Sequence, residues 1–223
     1  MHLVRVDEKP GMQAMERDGP ILPTTFGKVE RREFNYIRHG TQVLIANLHL
    51  ATGQIIAPTI QHTRTELDFV EHIRQTIATD PQAGWLFLCD PLNTHMSASL
   101  VEYIASQLDD PTPLGKKEKY GILASMQSRQ TYLCESTHRI RFVYIPKHCS
   151  WLNPIEIWFS TLARHVLLRG NFLSIADLVN KLKRSISFYN SFLAKPCAWS
   201  VVTDQQIQSL IDKVKLYAGL FPH

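Results

Sequence analysis

Trp85-Leu86-Phe87-Leu88-Cys89, followed at once by Asp90-Pro91, is a run of apolar residues closed by an acid and a proline. A run without polar alternation belongs to a strand buried on both faces, the habit of the middle of an α/β sheet. Pro91 disfavours helical backbone at the residue before it, so Asp90 is held extended at the strand's carboxyl end. Upstream, Thr65 is placed to cap a helix over residues 66–78, where Leu67, Phe69, Val70, Ile73 and Ile77 recur at helical spacing. Downstream, residues 97–108 read as a helix and 139–145 alternate as a further strand.

The outer parts of the chain extend this pattern. Residues 3–6 form a short apolar strand ending in Asp7-Glu8-Lys9-Pro10, where Pro10 limits extension, and residues 10–35 are predicted to be an irregular excursion. Residues 36–50 and 54–60 are β-prone around Ala51-Thr52-Gly53, a hairpin signal. A loop over 146–154 leads into a helix that begins near Ile155, and a last helix over 175–192 keeps Leu178, Leu182, Ile186 and Tyr189 on one face. Strand, two hairpin strands, helix, strand, helix, strand, helix predicts an α/β protein: a mixed sheet flanked by helices. That is the layout of a ribonuclease H-like core, here with an inserted basic segment at 109–138.

Composition narrows the function classes. At 223 residues, 44% hydrophobic and 20% charged, the chain has ordinary globular composition. No apolar run reaches the roughly 18 residues of a membrane span, so no membrane partner is expected. Cys89, Cys134, Cys149 and Cys197 are widely spaced and read as buried or inert thiols in a reducing cytosol. A zinc reading of Cys134, His138, His148 and Cys149 matches no common spacing. The net charge of +4 hides an asymmetry: residues 1–110 carry 9 basic and 14 acidic side chains, and residues 111–223 carry 15 and 6. An acidic half beside a basic half fits a carboxylate site next to a polyanion, although a solvated surface gives the same counts.

Three acids stand at telling places: Asp7 and Asp90 at the ends of strands, and Glu156 early in a late helix. Ligands of open α/β sheets collect outside the carboxyl ends of strands, where Asp7 and Asp90 converge if their strands are neighbours. Grouped carboxylates repel one another and become stable around divalent cations; hard oxygen donors suit Mg²⁺ or Mn²⁺. Two such ions, roughly 3.5–4 Å apart, would activate a water or 3′-hydroxyl and stabilise the leaving oxygen of a phosphodiester. Each acid taken alone reads more readily as a turn, cap or first-turn residue than as a ligand.

The words around the acids single out one reading. Val6-Asp7-Glu8-Lys9-Pro10-Gly11-Met12-Gln13-Ala14, Asp90-Pro91-Leu92-Asn93-Thr94-His95 and Ser150-Trp151-Leu152-Asn153-Pro154-Ile155-Glu156 together resemble the catalytic domain of DDE transposases of bacterial insertion sequences, the branch related to Tc/mariner elements. Arg31-Arg32-Glu33-Phe34-Asn35-Tyr36 and the residues to Thr41 add to the resemblance, which runs from about residue 3 to about residue 199. It implies a catalytic domain over 1–199 with a helical tail over 200–223. Asp7, Asp90 and Glu156 would be both the catalytic residues and the ligands of two Mg²⁺ ions, with Mn²⁺ as substitute. It also implies cleavage at transposon ends and strand transfer into target DNA, with a TA dinucleotide as the expected target. The 66-residue step from Asp90 to Glu156 is longer than in many relatives, and residues 109–138 account for the excess. Pro91 stands where relatives usually carry a polar residue.

Supporting residues follow from the same comparison and from chemistry. His95, Lys147, His148 and Asn153 are candidates for DNA contact, with Ser150 as a further loop residue. For His95 the functional reading is a place near a scissile phosphate or a hydrogen bond to a metal-bound carboxylate, and the alternative is an exposed residue in a capping turn. Lys116, Lys117, Lys119, Arg129, Arg139 and Arg141 are candidates to line a DNA channel. Family members carry an N-terminal helix-turn-helix region that reads the transposon ends. The expected partners are therefore DNA and either a second copy of the chain or a separate recognition half, in a bacterial cytoplasm at the nucleoid. Two rival readings remain open at this level: a truncated, inactive remnant that binds DNA or a partner, and a host-adopted metal-dependent nuclease.

Overall fold

Alternation along the first strand decides the centre of the sheet. In the computed structural model, which describes residues 1–19, 26, 35–145, 154–168 and 170–197, β1 (His2–Arg17) sends Val4 and Val6 to one face and Leu3, Met12 and Ala14 to the other. It pairs antiparallel with β2 (Tyr36–His49), which pairs antiparallel with β3 (Ile55–Gln61). On its other side it runs parallel to β4 (Trp85–Cys89), which runs parallel to β5 (Ile140–Tyr144). The order β3-β2-β1-β4-β5 is the mixed sheet expected from the sequence.

Two apolar layers cover the sheet. One packs α1 (Glu66–Ile77), α2 (Ala98–Leu108) and α3 (Met126–Leu133) on the face of Val4, Val6, Trp85, Phe87 and Phe142. The other packs α4 (Pro154–Leu162) and α5 (Ile175–Phe188) on the face of Leu3, Ala46, Leu86 and Leu88. Thr65 caps α1 reciprocally with Asp68, which holds the Asp68 carboxyl below its ordinary value through hydrogen bonds from Thr65 and Thr63, against the opposing effect of burial. Ser97 caps α2, accepting from the Leu100 amide.

One expectation needs correcting. Pro10 does not end the first strand, which continues to Arg17. Lys9 faces Leu44 and Met12 faces Gln42, so β1 carries one extra residue between those pairs, and Gly11 takes φ +72°. A bulge absorbs the proline, and β4 has already ended at that level, so no ladder bond is asked of the Pro10 nitrogen. The basic segment 109–138 sends Leu123, Tyr132 and Leu133 into the core of the first layer. No helix among the described residues is long and apolar enough to cross a membrane.

Candidate active site

The parallel register of β1 and β4 pairs Arg5 with Leu88. Carried two residues further, the same register brings Asp7 level with Asp90, just past the carboxyl end of β4. Asp7 faces Ala46 across the β1–β2 ladder, and Ala46 belongs to the layer under α4 and α5. Residues directly opposite on an antiparallel pair share a face, so Asp7 stands on the α4 side. Asp90 joins it there, because its Oδ1 accepts a 2.6 Å hydrogen bond from Nη2 of Arg5, two residues before Asp7 in β1. Asp7 Oδ1 in turn accepts from the Glu8 amide at 2.7 Å.

Glu156 lies in the first turn of α4, exposed, on a helix anchored by Ile155, Trp158, Phe159 and Leu162 against the same sheet face. The three acids therefore occupy one face, with Asp7 and Asp90 adjacent at one strand edge. Carboxylate oxygens are the donors a hard divalent cation takes, so the residue types fit Mg²⁺ or Mn²⁺. Among the described residues, no group of three or more His, Cys, Asp or Glu is close enough to hold an ion. Asp90 is engaged by Arg5, whose side chain is 1% exposed against 39% for Asp90.

His95 is not the exposed turn residue of the alternative reading: its side chain is 1% exposed, in the 3-10 turn Asn93–Met96. Its Nδ1 is 2.9 Å from the Asp90 carbonyl oxygen and its Nε2 is 3.4 Å from Glu8 Oε1. The ring stacks on Phe69 of α1 at 4.1 Å, on the sheet face opposite the acids. Burial, reinforced by nearby His95, pushes the imidazole of His72 in that same layer down to about 3. Lys147, His148, Ser150 and Asn153 lie outside the described residues.

Three of the basic residues assigned to a DNA channel hold backbone instead. Arg129 donates to the carbonyls of Met96 and Leu123, and Arg139 to those of Pro81, Ala83 and Gln107. Arg139 precedes β5, at the sheet edge away from Asp90, and Arg141 donates to Ser136 O. Lys116, Lys117 and Lys119 are exposed, as a channel would need. Cys89 is fully buried and its thiol is pushed up by burial, in keeping with an inert side chain; Cys134 is exposed.

Sequence reading overlooked Arg5 and Glu8. Both had a signal. Arg5 is the one charged residue inside the run Leu3-Val4-Arg5-Val6, and period two puts it on the face of Asp7. Glu8 follows Asp7 and is sent to the other face, where its side chain is 6% exposed.

A ribonuclease H-like mixed sheet with acids at the carboxyl edge of its central strands defines a class of phosphodiester-cutting folds. Residues 2–179 match the family described as DDE superfamily endonuclease, and the chain belongs to that family. Among solved structures, the Mos1 mariner paired-end complex with Mn is similar at a TM-score of 0.54 and 12% identity, over 96% of this chain and 53% of that one. The Mos1 transposase paired-end complex with left transposon end gives the same values, and the Mos1 strand transfer complex gives 0.51, 12%, 96% and 52%. At this identity the likeness carries the fold, and the chain spans about half the length of these structures. No curated protein matches the chain in sequence.

Proposed function

We propose that this chain is the catalytic domain of an insertion-sequence transposase, which cleaves DNA strands at transposon ends and joins them to a target. The observation that carries the reading is the level placement of Asp7, within β1, and Asp90, just past the end of the adjacent parallel β4, on the sheet face that also carries the helix of Glu156. Asp7, Asp90 and Glu156 would hold Mg²⁺, or Mn²⁺ in its place. The metal would supply charge stabilisation for an in-line displacement at phosphorus. The chain's own part is to hold the carboxylates on one rigid edge, where β1 and β4 are anchored by packing on both faces. DNA is the proposed partner, with the exposed Lys116, Lys117 and Lys119 and the loop residues Lys147, His148 and Asn153 as phosphate contacts. Endonuclease family membership supports the cleavage; the likeness to the Mos1 transposase paired-end complex with left transposon end supports the finer reading.

One observation favours a second reading, a chain that binds DNA without cutting it: a guanidinium already engages Asp90. Nicking of supercoiled plasmid with Mg²⁺ or Mn²⁺ decides between them, comparing the native chain with Glu156→Gln and Asp7→Asn. Metal-dependent nicking that disappears in both variants is expected. Equal nicking by native and variant chains, or none by a folded native chain, overturns the catalytic reading.

A further inference from the structure

The ladder between β1 and β4 stops at Arg5 and Leu88, two residues short of the acids. Asp7 and Asp90 thus stand beyond the paired part of the two strands, yet a metal site needs their separation fixed within a fraction of an ångström. His95 spans that gap from the far side of the sheet. Its Nδ1 reaches the backbone carbonyl of Asp90 at 2.9 Å, and a carbonyl only accepts, so Nδ1 carries the proton. Its Nε2 faces Glu8 Oε1 at 3.4 Å, a contact in which the carboxylate accepts when that nitrogen is protonated as well, and Glu8 is the chain neighbour of Asp7.

The bridge is itself anchored on every side. Phe69 of α1 stacks on the ring, and Tyr144 of β5 donates its hydroxyl to the His95 carbonyl at 2.7 Å. Glu8 Oε2 lies 3.6 Å from Arg64, just before the α1 cap. The Asp90 carbonyl also accepts from the Leu92 amide at 2.8 Å, which turns the chain back so that His95 can reach it. Both side chains are nearly excluded from solvent, at 1% and 6%.

We infer that His95, acting through Glu8 and the Asp90 carbonyl, is a positioning residue that sets the spacing of Asp7 and Asp90 for a divalent cation. The inference rests on the proposed role of those two acids. His95 touches no reacting atom; it works as a strut where the sheet ladder has run out. Outer-shell partners of this kind typically contribute about 10–100-fold in metal affinity.

The test is Mn²⁺ binding to the full chain, followed by electron paramagnetic resonance of free Mn²⁺, with Asp7→Asn as the control for the site. His95→Ala is expected to bind about 10–100-fold more weakly while keeping its circular dichroism. His95→Asn, whose amide keeps a donor toward the Asp90 carbonyl, is expected to recover most of that loss, which a merely structural role would not give. Should His95→Ala fail to fold, Glu8→Ala carries the test, with the same direction of loss expected. Native affinity in folded His95→Ala or Glu8→Ala overturns the positioning role alone. No Mn²⁺ site in the native chain, or one indifferent to Asp7→Asn, overturns the metal reading itself and the strut with it.

Discussion

Removing Asp90 should destabilise the fold, and by more than removing Arg5. The two groups are 2.6 Å apart, but their surroundings differ: the guanidinium is 1% exposed and the carboxylate 39%. Arginine cannot shed its charge, so Asp90→Asn withdraws a negative partner from a cation that is almost wholly buried. Breaking a fully buried pair costs about 3–5 kcal/mol; the partial exposure of Asp90 places this one near the bottom of that range, about 3 kcal/mol. Arg5→Met leaves a carboxylate that water still reaches and fills the volume of the arginine stem, so about 1 kcal/mol is expected.

Urea unfolding of the native chain, both single variants and the double variant measures this directly. The double variant should be more stable than Asp90→Asn alone, because no stranded charge remains, with a coupling of about 2 kcal/mol. A site governed by repulsion among its acids predicts the opposite: Asp90→Asn would be neutral or stabilising. That result would refute the ion-pair argument. The sign also matters for enzymology, because an Asp90 variant that loses activity could have lost its fold. Glu156→Gln, at an exposed first-turn position, is expected to stay within about 0.5 kcal/mol of the native stability and is the cleaner control.

Two further outcomes follow from the packing. His72, ordinarily near 6.5, is held down to about 3 by burial and by His95, so between those values the unfolded chain binds the extra proton. Stability is then complete above pH 6.5 and falls on acidification by about 1.4 kcal/mol per pH unit; His72→Gln should flatten that slope in urea unfolding, and parallel slopes refute the assignment. Gly53, at φ +72° in the β2–β3 turn, has no room for a Cβ, which would overlap the Lys195 backbone carbonyl. Gly53→Ala should cost at least about 1 kcal/mol, or about 2–4 °C in Tm for a chain of this size, and an unchanged melt would show that the turn relaxes freely.

The parts of the fold legible in the sequence are those with local causes. The apolar run 85–89 is β4, Thr65 caps α1, and Ala51-Thr52-Gly53 turns β2 into β3. The strand through Pro10 was not legible, because the proline is tolerated only at a bulge beyond the end of β4, a matter of what lies beside it rather than within it. The same holds for the segment 109–138, where Leu123, Tyr132 and Leu133 are spaced too irregularly to announce a core face. Arg129 and Arg139 looked like DNA ligands by charge alone; their carbonyl partners lie up to 58 residues away along the chain.

Asp7 and Glu8 show why the site itself is only half readable. They are neighbours, both acidic, and composition cannot tell which of them belongs with Asp90. The pleat decides. Val4 and Val6 are committed to the α1–α2 layer and Leu3 to the α4–α5 layer, so Asp7 must follow Leu3 and Glu8 must follow Val6. A one-residue slip of β1 would put Glu8 beside Asp90 and Arg5 among Phe69 and Phe87, stranding the valines on the wrong face. The burial of a few aliphatic side chains therefore selects which carboxylate faces α4 and which faces His95. The two faces of β1 thus divide the work: one presents Asp7 and holds Arg5 against Asp90, and the other turns Glu8 toward His95 behind the site.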